Sequence, residues 1–152
     1  VQPQQLFPLP YERGLQLRQI AETKQTTPSV LLLGLIKQAI ADGIISPDIP
    51  EFHIAHVKSD DAFLIGFGDD PKEKMSREIA EQLSDAIFSA ATSQDKFQDM
   101  QIDRHFVVSR KTSGVRVTIP ANGMTRSYNR DLAIDIAKQI DRAIDAIEDQ
   151  QE

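Results

Sequence analysis

The chain has no cysteine and no tryptophan, and aromatic residues make up only 6% of its 152 positions. Without thiols there is no disulfide, no thiolate metal site and no cysteine nucleophile, and with so few aromatics no rich aromatic ligand surface is expected. Long apolar runs are also missing. The longest, Val30 to Ile36, contains Gly34 and is followed by Lys37 and Gln38, far short of the roughly 20 residues that span a bilayer. The N-terminus lacks the basic, then apolar, then small-residue pattern of a secretory signal, so a cytoplasmic location is expected; a start at Val1 rather than Met leaves room for a removed segment ahead of it.

What is present suits a folded chain of one ordinary domain or two very small ones, with 40% hydrophobic and 26% charged residues. The net charge of -6 conceals a strong segregation. Residues 1–58 balance five acids with five bases, and residues 59–103 hold eleven acids against four bases. Residues 104–130 then carry Arg104, Arg110, Lys111, Arg116, Arg126 and Arg130 with no acid, before residues 131–152 return to seven acids and two bases.

Helical spacing of Leu17, Ile20 and Ala21 predicts a first helix over about Arg13–Lys24. Thr26-Thr27-Pro28-Ser29 predicts a second helix from about Pro28, because a threonine hydroxyl caps orphan N–H groups and proline suits the first helical turn. That helix, through Leu31 to Ile40, is apolar nearly all round and wants cover on most sides. Ser46-Pro47-Asp48-Ile49-Pro50 reads as a linker, dividing an N-terminal unit (1–45) from a second domain (51–149).

The second domain shows a weak internal repeat of strand, strand and helix. One copy has His53–Lys58, Ala62–Phe67 and a helix opened by Ser76-Arg77-Glu78; the other has His105–Arg110, Val115–Ile119 and a helix opened by Asn129-Arg130-Asp131. The expected fold class is therefore α+β: a helical-hairpin or ribbon-helix-helix-like unit, then a duplicated ββα unit whose two hairpins make one four-stranded antiparallel sheet with both helices on one face.

Leu9-Pro10-Tyr11-Glu12, Leu17, Ile20-Ala21-Glu22, Thr27-Pro28-Ser29 and Leu31 to Ile36 resemble the ribbon-helix-helix family of DNA-binding proteins, over about a quarter of the chain. The resemblance implies an obligate dimer, a two-chain ribbon formed by residues 4–9 in the major groove, and a phosphate contact where the second helix starts. It implies DNA contacts by Gln4, Thr27 and Ser29. The chain departs from the family pattern at Leu6 and Pro8, which alternation places on the groove side with Gln4, and Pro8 removes a ribbon hydrogen bond.

Independently, Arg110, Lys111 and Arg116 flank the expected turn Thr112-Ser113-Gly114 and are expected to converge near its tip, with Arg126 in the same basic stretch. Two readings of this stretch stand open: contact with DNA phosphates, or pairing with the acidic segments within or between chains. Gly66-Phe67-Gly68-Asp69-Asp70 lacks the lysine of a phosphate loop and the alternating ligands of a calcium loop. His53 and His56, three apart on a strand, fall on opposite faces, so no metal site is expected. No Ser-His-acid spacing or nucleophile elbow is present, and no catalysis and no cofactor are expected. The function expected is that of a DNA-binding regulator or accessory protein of plasmid or phage type, acting in transcription regulation as a homo-oligomer, at least a dimer. The alternative is a protein-interaction adaptor or inhibitor that uses charge-segregated surfaces.

Overall fold

The computed structural model describes residues 4–150. The chain divides after Pro47 into two compact units. In the first, α1 (Tyr11–Thr23) and α2 (Pro28–Ala41) are joined by a tight turn. Gln25 takes φ 54° there, and the Thr26 N–H returns to the Ala21 carbonyl at 2.8 Å. α2 starts as its sequence predicts: the Thr27 hydroxyl accepts the Val30 N–H at 3.3 Å, and Pro28 fills the first helical position. Residues 4–10 form neither helix nor strand within the single chain. Among the described residues of this unit only Ala21 is buried, and α2 buries none of its own.

The second unit runs β1 (Phe52–Val57), β2 (Ala62–Phe67), β3 (Glu73–Ser76), α3 (Arg77–Thr92), β4 (Met100–Ile102), β5 (Phe106–Lys111), β6 (Gly114–Ile119), β7 (Met124–Asn129) and α4 (Arg130–Glu148). Three strands thus precede α3 and four more precede α4. Instead of the single four-stranded sheet expected, there are two antiparallel sheets, β1-β2-β3 and β4-β5-β6-β7. The difference comes from β3 and β7, which run directly into the helices, and from the short edge strand β4. In β3 only Met75 is buried, and β7 turns Arg126 and Tyr128 rather than aliphatic residues toward the interior. Neither segment carries the apolar alternation that marks a half-buried strand.

Both helices start in the same way. The Ser76 hydroxyl accepts the Ile79 N–H at 3.3 Å, and the Asn129 side chain accepts the Leu132 N–H at 2.8 Å. Each satisfies one of the N–H groups that a helix start leaves without a partner. The stripes Ala80, Leu83, Ile87, Ala90 on α3 and Ala133, Ile136, Ile140, Ile144 on α4 enter one core with Phe63, Ile65, Phe67, Phe106, Val108, Val115, Val117 and Ile119. Each large aliphatic or aromatic side chain buried in this way contributes about 1.5–3 kcal/mol. Between the helices, the Ser84 hydroxyl lies 2.6 Å from Asp141 Oδ1 and 3.0 Å from the Ala137 carbonyl. Gln139, also buried, accepts the Ile49 N–H at 2.7 Å, and Arg142 pairs with Asp48 at 3.3 Å. These two contacts draw residues 48 and 49 into the second unit, and the division after Pro47 falls within the expected linker.

Gly114, opposite Asn129 in the β6–β7 ladder, has no room for a side chain. A Cβ there would run into the Tyr128 carbonyl oxygen, with Asn129 Cα 3.3 Å away. Because both obstacles are backbone, Gly114→Ala has to push β7 outward. It is expected to destabilise the fold by about 1–3 kcal/mol, read as a lower urea midpoint at unchanged slope.

Candidate functional site

The second sheet carries most of the acid-free basic stretch, and its register decides where each cation points. Residues paired across antiparallel strands share a face, and neighbours along a strand alternate. Val108 pairs with Val117, and Arg110 pairs with Val115, so Arg110 belongs to the face that meets the core. Ser109 pairs with Arg116, and Arg116 pairs with Ser127. This row lies on the outer face, together with Lys111, Gly114 and Asn129 at the tip and Val107, Thr118 and Thr125 further down.

The three hairpin cations therefore do not converge on one surface. Arg116 and Lys111 face outward and are exposed, whereas Arg110 turns to the other side and donates from its NH1 to the Asp95 carbonyl at 2.8 Å. Arg126 also departs from the group. It pairs with Val117 in the inward register and binds Asp70 Oδ2 at 3.0 Å, where both side chains are largely covered. The remaining outer face is built of hydroxyls, the amides of Gln101 and Asn129, Val107, Gly114 and two cations, with no acid at its strand positions. Among the described residues neither Lys111 nor Arg116 has an ion-pair partner.

The DNA-contacting residues implied by the family resemblance lie in the other unit. Thr27 uses its hydroxyl to cap α2, and Ser29 and Gln4 are exposed. His53 is exposed on β1. His56 lies 3.0 Å from Asp61, and His105 lies 2.9 Å from Glu73. Among the described residues no group of three His, Cys, Asp or Glu side chains is placed to hold a metal ion. No helix is long and apolar enough to cross a membrane.

Sequence reasoning missed the latch between the two sheets. Gly68, with φ 47°, turns the chain after β2. Lys72 Nζ then donates to the carbonyls of Gly68 and Asp70 at 2.6 and 2.9 Å, which holds the Asp70 carboxylate toward Arg126. The phenyl ring of Phe67 lies 5.8 Å from the Tyr128 ring beside it. The available signal was the alternation Met124, Arg126, Tyr128 against Thr125, Ser127, Asn129. Its inward members are mostly polar, so it does not stand out.

Comparison with protein-family models, curated proteins and solved structures found no match for this chain.

Burial pushes the Tyr128 hydroxyl from its ordinary value of 10 up to about 12; the Arg126 guanidinium opposes the shift, while Glu51 and Asp70 add to it. The folded chain therefore keeps a proton that the unfolded chain releases near pH 10. Stability contributed through this group is constant below about pH 10 and falls between about pH 10 and 12. Denaturant midpoints across that range should fall less in Tyr128→Phe than in the unsubstituted chain, and equal slopes would refute the assignment.

Proposed function

We propose that the chain is a homodimeric DNA-binding regulator or accessory protein, with the outer face of the second sheet set against the phosphate backbone. The observation that carries this reading is the acid-free face around Lys111 and Arg116 on a chain whose net charge is -6. Cations that have no internal partner gain most from phosphates, because binding releases condensed counterions from DNA. The hydroxyls and amide beside them, from Ser109, Thr125 and Asn129, are of the kind that donates to phosphate and sugar oxygens. The double variant Lys111→Ala/Arg116→Ala is expected to bind duplexes of all sequences more weakly. Its salt slope should flatten by about one unit per lost contact, while thermal stability stays nearly unchanged. Gln4→Ala should alter sequence preference alone, if the ribbon forms on DNA. No binding by the unsubstituted chain at low salt would overturn the proposal.

The dimer rests on the first unit. Leu35 is 68% exposed, Val30 54%, Ile36 50% and Leu32 49%, in a helix that buries nothing of its own. A second copy of the hairpin supplies cover of the same apolar character, as the resemblance to ribbon-helix-helix proteins implies. Leu32→Asp would place an unpaired carboxylate in that contact and is expected to give a monomer by light scattering at micromolar concentration. A monomeric unsubstituted chain under those conditions would refute the dimer.

The adaptor reading draws its support from the opposite side of the second unit, where Glu81, Asp85, Asp141 and Asp145 are exposed on α3 and α4. It predicts charge-matched protein binding and no salt-dependent affinity for DNA.

A further inference from the structure

The two helices of the second unit each carry an arginine at the same point, immediately after the capping residue: Arg77 on α3 and Arg130 on α4. Their surroundings differ in charge. Arg77 is 24% exposed, with NH1 3.3 Å from Glu148 and NH2 3.7 Å from Asp61. One carboxylate comes from the turn between the first two strands, and the other from the end of the neighbouring helix. At Arg130 the corresponding turn is Thr112-Ser113, which has no acid, and the segment following the neighbouring helix supplies Lys96 beside Asp95.

These parts line a cleft of about 430 Å³ that gathers Lys96, Arg110, Lys111 and Arg130 with Thr112 and Asp95. Four cations thus face one carboxylate. Arg110 is held by the Asp95 carbonyl rather than by its side chain, and among the described residues Lys96, Lys111 and Arg130 have no ion-pair partner. The cleft is shallow and open; like charges gathered on one surface in this way repel one another and raise the local potential for anions. A group that is compact, carries about two negative charges and accepts several hydrogen bonds gains most from such a site.

We propose that this cleft binds a free phosphate group, inorganic or borne on a small phosphomonoester, in the position that the carboxylates of Asp61 and Glu148 take around Arg77. The site is separate from the outer sheet face, since Arg116 lies on the other side of the pleat, and it does not depend on DNA being a partner. Lys111, at the tip, borders both.

The test is calorimetric titration of the full chain with inorganic phosphate at constant ionic strength, with chloride as the control anion. One saturable phosphate per chain is expected. Lys96→Gln and Arg130→Gln should each weaken it about tenfold, as loss of a charge-assisted contact requires. Thr112→Asp, which returns a carboxylate to the turn, should weaken phosphate binding without lowering thermal stability. Arg116→Ala should leave phosphate binding unchanged, so that loss of the DNA reading and loss of this one are told apart. The proposal is overturned if phosphate behaves like chloride, or if folded Lys96→Gln and Arg130→Gln bind it as tightly as the unsubstituted chain. Displacement of the phosphate by a duplex would equally overturn it, because the cleft would then belong to the DNA surface.

Discussion

The alternation of β6 governs the second unit. Val115, Val117 and Ile119 are buried to within 1% of full cover, and at about 1.5–3 kcal/mol for each large side chain their face is not negotiable. A slip of one residue would expose all three and bury Arg116 and Thr118. Once β6 is fixed, the ladders fix its neighbours: Arg116 and Ser127 must face out, while Arg126 and Tyr128 must face in. An inward arginine in turn requires a partner, since an unpaired buried cation is strongly unfavourable. Asp70 fills that need from the connection after β2, which Gly68 and Lys72 shape. The link between the two sheets is thus a consequence of hydrophobic burial in one strand.

The same constraint sorts the basic stretch. In the sequence its six cations form one block, and their proximity suggests one surface. Arg104 precedes β5 and Arg130 opens α4, and strand geometry divides the other four into an outward pair, Lys111 and Arg116, an inward paired Arg126, and Arg110 on the side of the helices. A hairpin can present cations together only when they lie on the same face of the pleat, and Arg110 and Arg116 do not: in the ladder Arg110 pairs with Val115 and Arg116 with Ser109.

Much of the architecture was legible in the residues, for identifiable reasons. The helix starts at Pro28, Arg77 and Arg130 lie where the sequence opens helices, and Thr27, Ser76 and Asn129 make the capping bonds, the first of them as expected of a threonine there. The strands β1, β2, β5 and β6 are marked by dense apolar and β-branched residues. The strands β3 and β7 were not legible because β3 has a single buried position, Met75, and β7 turns Arg126 and Tyr128 inward, with Arg126 depending on Asp70, 56 residues away. Long-range pairing of that kind leaves no periodic trace. Nor does the sequence alone tell that Asp48 and Ile49, flanked by prolines, are held by Arg142 and Gln139. The three cations proposed as one site were legible as residues but not as a geometry.

The two units meet the same requirement, cover for apolar surface, in opposite ways. In the second, two sheets and two helices supply their own cover, with Ala80, Ala90, Ala133 and Ala137 on the helix faces turned to the core. The first has two short helices and a single buried residue, Ala21, less than isolated helices of this length need for stability in water. A hairpin with that composition holds its helical form most readily when another apolar surface lies against it. The proposed self-association of the first unit and the proposed phosphate binding by the second answer different surfaces: one hairpin leaves apolar area that its own two helices do not cover, and the second sheet leaves Lys111 and Arg116 without an ion-pair partner among the described residues.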